Sequence, residues 1–336
     1  MKENDIRPAE LMAGQAERHA ADIRRMLARR AEFVEVDCPA CGGGRRELAF
    51  VKHDLRFQAC KDCETIYESP RPTPSVLAKL YAESENYAYW ANHIFPASEE
   101  VRRNEIFKPR AARVAAICDS QGVRGGTLLE VGSGFGTFCE EARRLGRFER
   151  VIAVEPTPDC AAKCRQRGLD VIEKPVEQID PASLTANVVA SFEVIEHLFS
   201  PRDFIRSCHR VLVPGGLLVL SCPNVKGFDV ALLRELSSTV DTEHLNLFHP
   251  RSLGQLLDRN GFEVLEVSTP GKLDAELVRK EVVAGRFSLE GRPLLQHLLM
   301  DEWERWGNPF QDFLVENGLS SHMWIVARRK AGSVED

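Results

Sequence analysis

A chain of 336 residues with 43% hydrophobic and 28% charged composition can bury a sizeable core in two or three domains, which excludes a disordered or fibrous protein. Its 44 basic and 50 acidic residues leave a net charge of −6, so there is no general electrostatic pull toward nucleic acid. No window approaches the roughly 18 consecutive apolar residues of a membrane span, and MKENDIRPAELMAGQAERHA lacks the apolar core of a signal peptide. The expectation is a cytoplasmic protein without membrane insertion, whose ten cysteines are reduced thiols or metal ligands.

Residues 8–31 place Leu11, Met12, Ile23, Met26 and Leu27 on one side and arginines opposite, an amphipathic helix after Pro8. This N-terminal unit, 1–32, reads as a packing helix or a homo-oligomer contact, with a basic recognition face as the alternative. Next come Cys38, Cys41, Cys60 and Cys63, two C-x-x-C pairs with 18 residues between them. That spacing matches a four-cysteine zinc ribbon over 33–70, with ELAFV and LRFQA as short strands; a redox dithiol or chance thiols are the alternatives. Four thiolates leave no open position for water, so such a Zn2+ is structural. Residues 71–110 are aromatic-rich (Tyr81, Tyr87, Tyr89, Trp90, Phe95) and form a helical connector or cap.

From 111 to 336 strand and helix signals alternate. Strands are expected at 127–132, 150–156, 170–173, 187–193, 215–223 and 262–268, with a closing strand at 321–329 and a helical insertion at 269–321. Such alternation implies an α/β fold with a mostly parallel, doubly wound sheet. The first strand runs into EVGSGFGTF, where Gly132, Ser133, Gly134, Phe135 and Gly136 form a turn onto which a ligand can press closely. A dinucleotide fingerprint wants G-x-G-x-x-G, but the third glycine comes one residue early; with Glu130 before it, the loop suits S-adenosylmethionine. Glu155, ending the second strand, can accept both ribose hydroxyls.

LLEVGSGFGTF, VIAVEP, NVVASFEVIEHLFSP, RVLVPGGLLVLSCPN and EHLNLFHPRSLGQLLDRNGFEVLEV, in this order, resemble the motifs of class I S-adenosylmethionine-dependent methyltransferases. The upstream cysteine segment resembles the zinc-ribbon extension of a subset that includes sugar C-methyltransferases, although Glu64 stands where that ribbon usually has Gly. The resemblance implies a Rossmann-like seven-stranded sheet, methionine contacts from Glu130 and the loop, and ribose contact from Glu155. It also implies adenine contacts from Pro156, Val176 and Glu177, and a sulfonium end lined by Phe192 and Glu193.

Methyl transfer demands in-line orientation, and an alcohol or carbon acid must also lose a proton. Glu193, Glu196 and His197 have the spacing i, i+3, i+4, which would put them on one face if a helix starts at 193; His244 follows the fifth strand on the same sheet edge. This cluster resembles the Mg2+ or Mn2+ site of small-RNA 3′-end 2′-O-methyltransferases and ubiquinone-pathway O-methyltransferases. Three roles stay open: cofactor or wall residues, His197 or His244 as general base assisted by Glu196, and a catalytic divalent metal. His249, before Pro250, reads as the residue that starts a helix. The leading function is methyl transfer to a small-molecule acceptor (a sugar, polysaccharide precursor or natural-product intermediate). The alternatives are a metal-assisted RNA 2′-O-methyltransferase and a non-catalytic S-adenosylmethionine-binding scaffold.

Overall fold

In the computed structural model, which describes residues 2–332, the apolar runs of the second half of the chain lie side by side in one seven-stranded sheet. Met1 and residues 333–336, the outer ends of the first and last expected domains, lie outside the described residues. The strands are Thr127–Val131 (β1), Arg150–Val154 (β2), Asp170–Ile172 (β3), Ala186–Phe192 (β4), Leu212–Pro223 (β5), Phe262–Ser268 (β6) and His322–Arg329 (β7). Their spatial order is β6-β7-β5-β4-β1-β2-β3, with β7 antiparallel to β5 and β6 and the other pairings parallel. The expected Rossmann-like, mostly parallel sheet is therefore met. Strand order reverses between β1 and β4, and the crevice of such a sheet opens beyond the carboxyl ends at that point.

Alternation along the strands divides the core into two layers. Leu128, Val188 and Val219 pack with Val114 and Cys118 of helix Lys108–Ser120 and with Phe138. Leu129, Val189 and Leu218 face the other way, toward Phe204, Phe248 and the cysteine segment itself: Cys38, Cys60, Cys63 and Tyr67 belong to this layer. That segment forms an antiparallel sheet from Arg46–Lys52, Leu55–Cys60 and Ile66–Glu68, completed by Asn246–Leu247 from beyond β5. Asn246 pairs with Tyr67 and Leu247 with Ile66.

The amphipathic helix forms as Ala9–Leu27, and its buried Asp22 accepts hydrogen bonds from Ser84 Oγ at 2.6 Å and the Asn86 N–H at 3.0 Å. This clamps the start of a helical run over 85–120. Wider π-turns interrupt the run at Trp90–Ile94 and Arg103–Phe107, each followed within two residues by a proline, Pro96 and Pro109, whose missing N–H removes an α-helical hydrogen bond. Between β6 and β7, helices Asp274–Val283 and Trp303–Glu316 pack around Val278, Leu289 and Leu299. Among the described residues, no helix is long and apolar enough to cross a membrane.

Candidate active site

The turn after β1 is built on left-handed backbone: φ is +78° at Gly132, +53° at Gly134 and +73° at Gly136. A Cβ on Gly132 would collide with the Val194 side chain, whereas at Gly134 it would meet nothing within 4 Å, so the loop is tight against the protein and open above. Glu130 is buried beneath it and accepts from Cys139 Sγ at 3.0 Å; burial pushes its carboxyl up to about 8. Ser133 is buried, and Phe135 packs edge-to-face on Phe95 of the helical run. Buried Glu155, at the end of β2, accepts the Gly134 N–H at 2.8 Å and the Thr157 N–H at 2.9 Å, one on each oxygen. Exposed Pro156 follows it; Val176 is buried and Glu177 exposed on the short turn after β3.

Phe192 closes β4 against Phe138 and Trp324, and the Arg110 guanidinium lies 4.4 Å from its ring centre. Here the structure corrects one expectation. Glu193 does not begin a helix: its φ is +56°, and the tight turn Ile195–His197 starts only after Val194. Glu193 instead accepts Ser221 Oγ at 2.5 Å and His322 Nε2–H at 2.8 Å, and it is not part of the group in which Glu196, His197 and His244 converge. Burial opposes its ionisation, but His322, Arg110 and Ser221 outweigh it and hold the carboxyl down to about 2.

Glu196, His197 and His244 do converge, their ligand atoms all lying within 4.8 Å of one another. The two imidazoles meet edge-to-face with ring centres 4.7 Å apart. Each is fixed by a backbone carbonyl: His197 Nδ1–H donates to Glu243 O at 2.9 Å and His244 Nδ1–H to Thr239 O at 2.7 Å. A carbonyl only accepts, so Nδ1 carries a proton in both rings. Burial, then the neighbouring His244, pushes His197 down to about 3, keeping it neutral. Glu196 is 1% exposed, both of its carboxylate oxygens are without a partner among the described residues, and burial and Glu193 drive its carboxyl far above the usual range. Orphaned oxygens beside two imidazole rings suit a proton or a divalent cation.

Four cysteine sulfurs form a second cluster, with Cys38–Cys63 at 3.4 Å and Cys41–Cys60 at 3.5 Å. A tetrahedral ion with thiolates about 2.3 Å away puts sulfurs about 3.8 Å apart, so the set is compatible with a zinc ribbon. Gly42 and Glu64 occupy equivalent places in the two knuckles, each with positive φ and with its N–H on the carbonyl of the cysteine four residues before. His249 caps helix Pro250–Arg259 and reaches the Cys63 carbonyl through Nε2 at 2.8 Å. A cavity of about 260 Å3 beside Phe95, Arg102, Phe107 and Phe135 does not include Glu155, Glu193 or the histidine pair. Sequence reasoning missed Arg110 and His322; the one polar residue opening the apolar run HMWIVA was a usable signal for the latter.

Residues 100–267, half of the chain, match the model of a family described as Methyltransferase domain. The chain is 32% identical over 170 residues to a probable S-adenosylmethionine-dependent methyltransferase of Mycolicibacterium smegmatis, covering 48% of this chain and 59% of that protein. It is 31% identical over 153 residues to a ubiquinone biosynthesis O-methyltransferase of Xanthomonas oryzae pv. oryzae, covering 43% and 61%. The chain thus spans about three fifths of the length of these relatives. Among solved structures, the plantazolicin methyltransferase BpumL in complex with SAH superposes with a TM-score of 0.50 at 11% identity, over 76% of this chain and 94% of that one, a likeness of fold alone.

Proposed function

Because the chain belongs to the methyltransferase-domain family of S-adenosylmethionine-dependent enzymes, we propose that it methylates an oxygen or acidic carbon of a small-molecule acceptor: a sugar, a polysaccharide precursor or a natural-product intermediate. The observation that carries this reading is the convergence of Glu196 with the imidazoles of His197 and His244, on the turns that follow β4 and β5. An acceptor that must lose a proton finds there a neutral base already oriented.

In this reading Glu155 holds the ribose, Gly132 to Gly136 with Ser133 and Phe135 cradle the methionine over Glu130, and Pro156, Val176 and Glu177 border the adenine. Phe192 and Glu193 line the sulfonium end. Arg110, over Phe192 and within reach of the fields of Glu193 and Glu130, pairs with the methionine carboxylate. S-adenosylmethionine supplies an electrophilic methyl group. With that group bound, the loop would hold the acceptor in line with the methyl, and His197 or His244 would take the acceptor proton. Cys38, Cys41, Cys60 and Cys63 hold a structural Zn2+, a role the sulfur spacing supports.

A second reading has one observation in its favour, the two oxygens of Glu196 that find no partner among the described residues. With both imidazoles they suit Mg2+ or Mn2+, which would acidify an acceptor hydroxyl. The relatives named for O-methylation add weight to an oxygen acceptor. Two measurements test the proposal. Calorimetry should detect S-adenosylhomocysteine binding that Glu155→Ala abolishes. Across a panel of hydroxylated acceptors, turnover should collapse in His197→Ala and His244→Ala; full turnover in both would overturn the assignment. Full activity after EDTA treatment with zinc retained would eliminate the second metal.

A further inference from the structure

The turn that presents Glu196 and His197 makes little use of its own backbone. Within it, the His197 N–H reaches Val194 O at 3.0 Å, and the Leu198 N–H reaches Ile195 O at 3.5 Å, the outer limit of a hydrogen bond. Its carbonyls are turned into the protein, where each needs a donor. One fully buried side chain supplies them: Asn246 Nδ2 is 2.7 Å from Leu198 O, 3.2 Å from Glu196 O and 3.3 Å from Ile195 O. At the other end of the amide, Oδ1 accepts from Arg71 Nη1 at 3.1 Å, and the same nitrogen reaches Phe199 O at 3.1 Å. Arg71 is 1% exposed and its Nε donates to Glu68 O at 3.0 Å. Two side chains thus bracket four carbonyls of the segment 195–199.

A primary amide is the side chain that donates at one end while accepting at the other, which is what this place demands. An aspartate of the same size would set oxygens against the three carbonyls, and a hydrophobe would take the amide donor from all three and one acceptor from Arg71 Nη1. Asn246 is in turn held by its pairing with Tyr67, and the Glu68 N–H donates to Leu245 O at 2.9 Å, so the bracket is anchored in the cysteine-bearing sheet.

We propose that Asn246, oriented by Arg71, is a positioning residue that fixes the Glu196–His197 turn and thereby aims both side chains at the acceptor; the word acceptor rests on the function proposed above, while the positioning does not. A small error in such aim costs turnover because the transferred proton and the reacting atoms must be held in line.

The test uses the full chain with 15N-labelled histidine, a long-range nitrogen–proton correlation that reads imidazole tautomers, and S-adenosylhomocysteine as the binding probe. In the wild-type protein His197 should give the Nδ1–H signature. In Asn246→Asp and Asn246→Ala that signature should give way to a mixture while S-adenosylhomocysteine binds as before, and Arg71→Lys should shift it in the same direction. An unchanged His197 signature in both Asn246 variants overturns the proposal. So does joint loss of the signature and of ligand binding, which would mark Asn246 as a residue of general stability. If His197→Ala keeps full turnover, the acceptor role falls, whereas the tautomer readout still decides the positioning.

Discussion

Glu68, in the last strand of the cysteine segment, is fully buried, and both carboxylate oxygens are without a partner among the described residues. Burial raises its carboxyl from the ordinary 4.5 to about 8, against the pull of Arg71. The folded protein therefore keeps Glu68 neutral at pH values where the unfolded chain has ionised it. Its contribution is fully present below about 4.5 and is lost as pH rises toward 8, the direction expected of a group whose folded value is raised. At about 1.4 kcal/mol per unit, the interval amounts to roughly 5 kcal/mol, and about 3 kcal/mol of it falls between pH 5.5 and 8. Glu68→Gln, nearly isosteric with the neutral acid, removes this dependence. Urea unfolding followed by tryptophan fluorescence should find the variant's stability relative to wild type about 3 kcal/mol higher at about pH 8 than at about pH 5.5. An equal difference at both pH values would refute the reasoning.

Three further predictions follow from the sites. Gly132→Ala should weaken S-adenosylhomocysteine binding sharply and cost roughly 2–4 kcal/mol of stability, since left-handed backbone and the Val194 contact both oppose a methyl group; a wild-type melting curve and affinity would sink this. The depressed Glu193 carboxyl contributes stability above its ordinary 4.5 that is lost as pH falls through about 2, so His322→Ala should move its titration to higher pH in a carboxyl NMR experiment, and an unmoved midpoint would show that His322 is not its partner. Cys63→Ser should lower bound zinc below one ion per chain and reduce the melting temperature; full metal content by elemental analysis would contradict the four-thiolate site.

The sheet was legible because buried parallel strands must be nearly continuous apolar runs, and VVASF and LLVLSC can hardly be read otherwise. The two C-x-x-C pairs were equally plain, and the fold brings their four sulfurs together. What escaped the sequence depends on backbone detail or on distant partners. Glu193 was placed with Glu196 and His197 by helical spacing, but spacing cannot reveal that a non-glycine residue adopts φ +56° and takes Ser221 and His322 as partners. His322 reaches Glu193 from a strand 129 residues later, and Asn246 reaches the 195–198 carbonyls from about 50 residues away. Nothing local in the segment EHLNLF announces that two of its residues complete a sheet begun before residue 70.

That shared strand also dictates an order of assembly. Ile66 and Leu247 are about 180 residues apart, so closing their pair requires bringing together ends separated by most of the sheet. On the ribosome the cysteine hairpin emerges early, but the outer edge of Ile66–Glu68 has no neighbour until residues near 250 have been made. For that interval an unpaired strand edge, with Tyr67 and an apolar face behind it, is open to other chains. Yield of this protein should accordingly depend on synthesis rate and on holding chaperones more than its final burial would suggest, because its first sheet is finished among its last acts of folding.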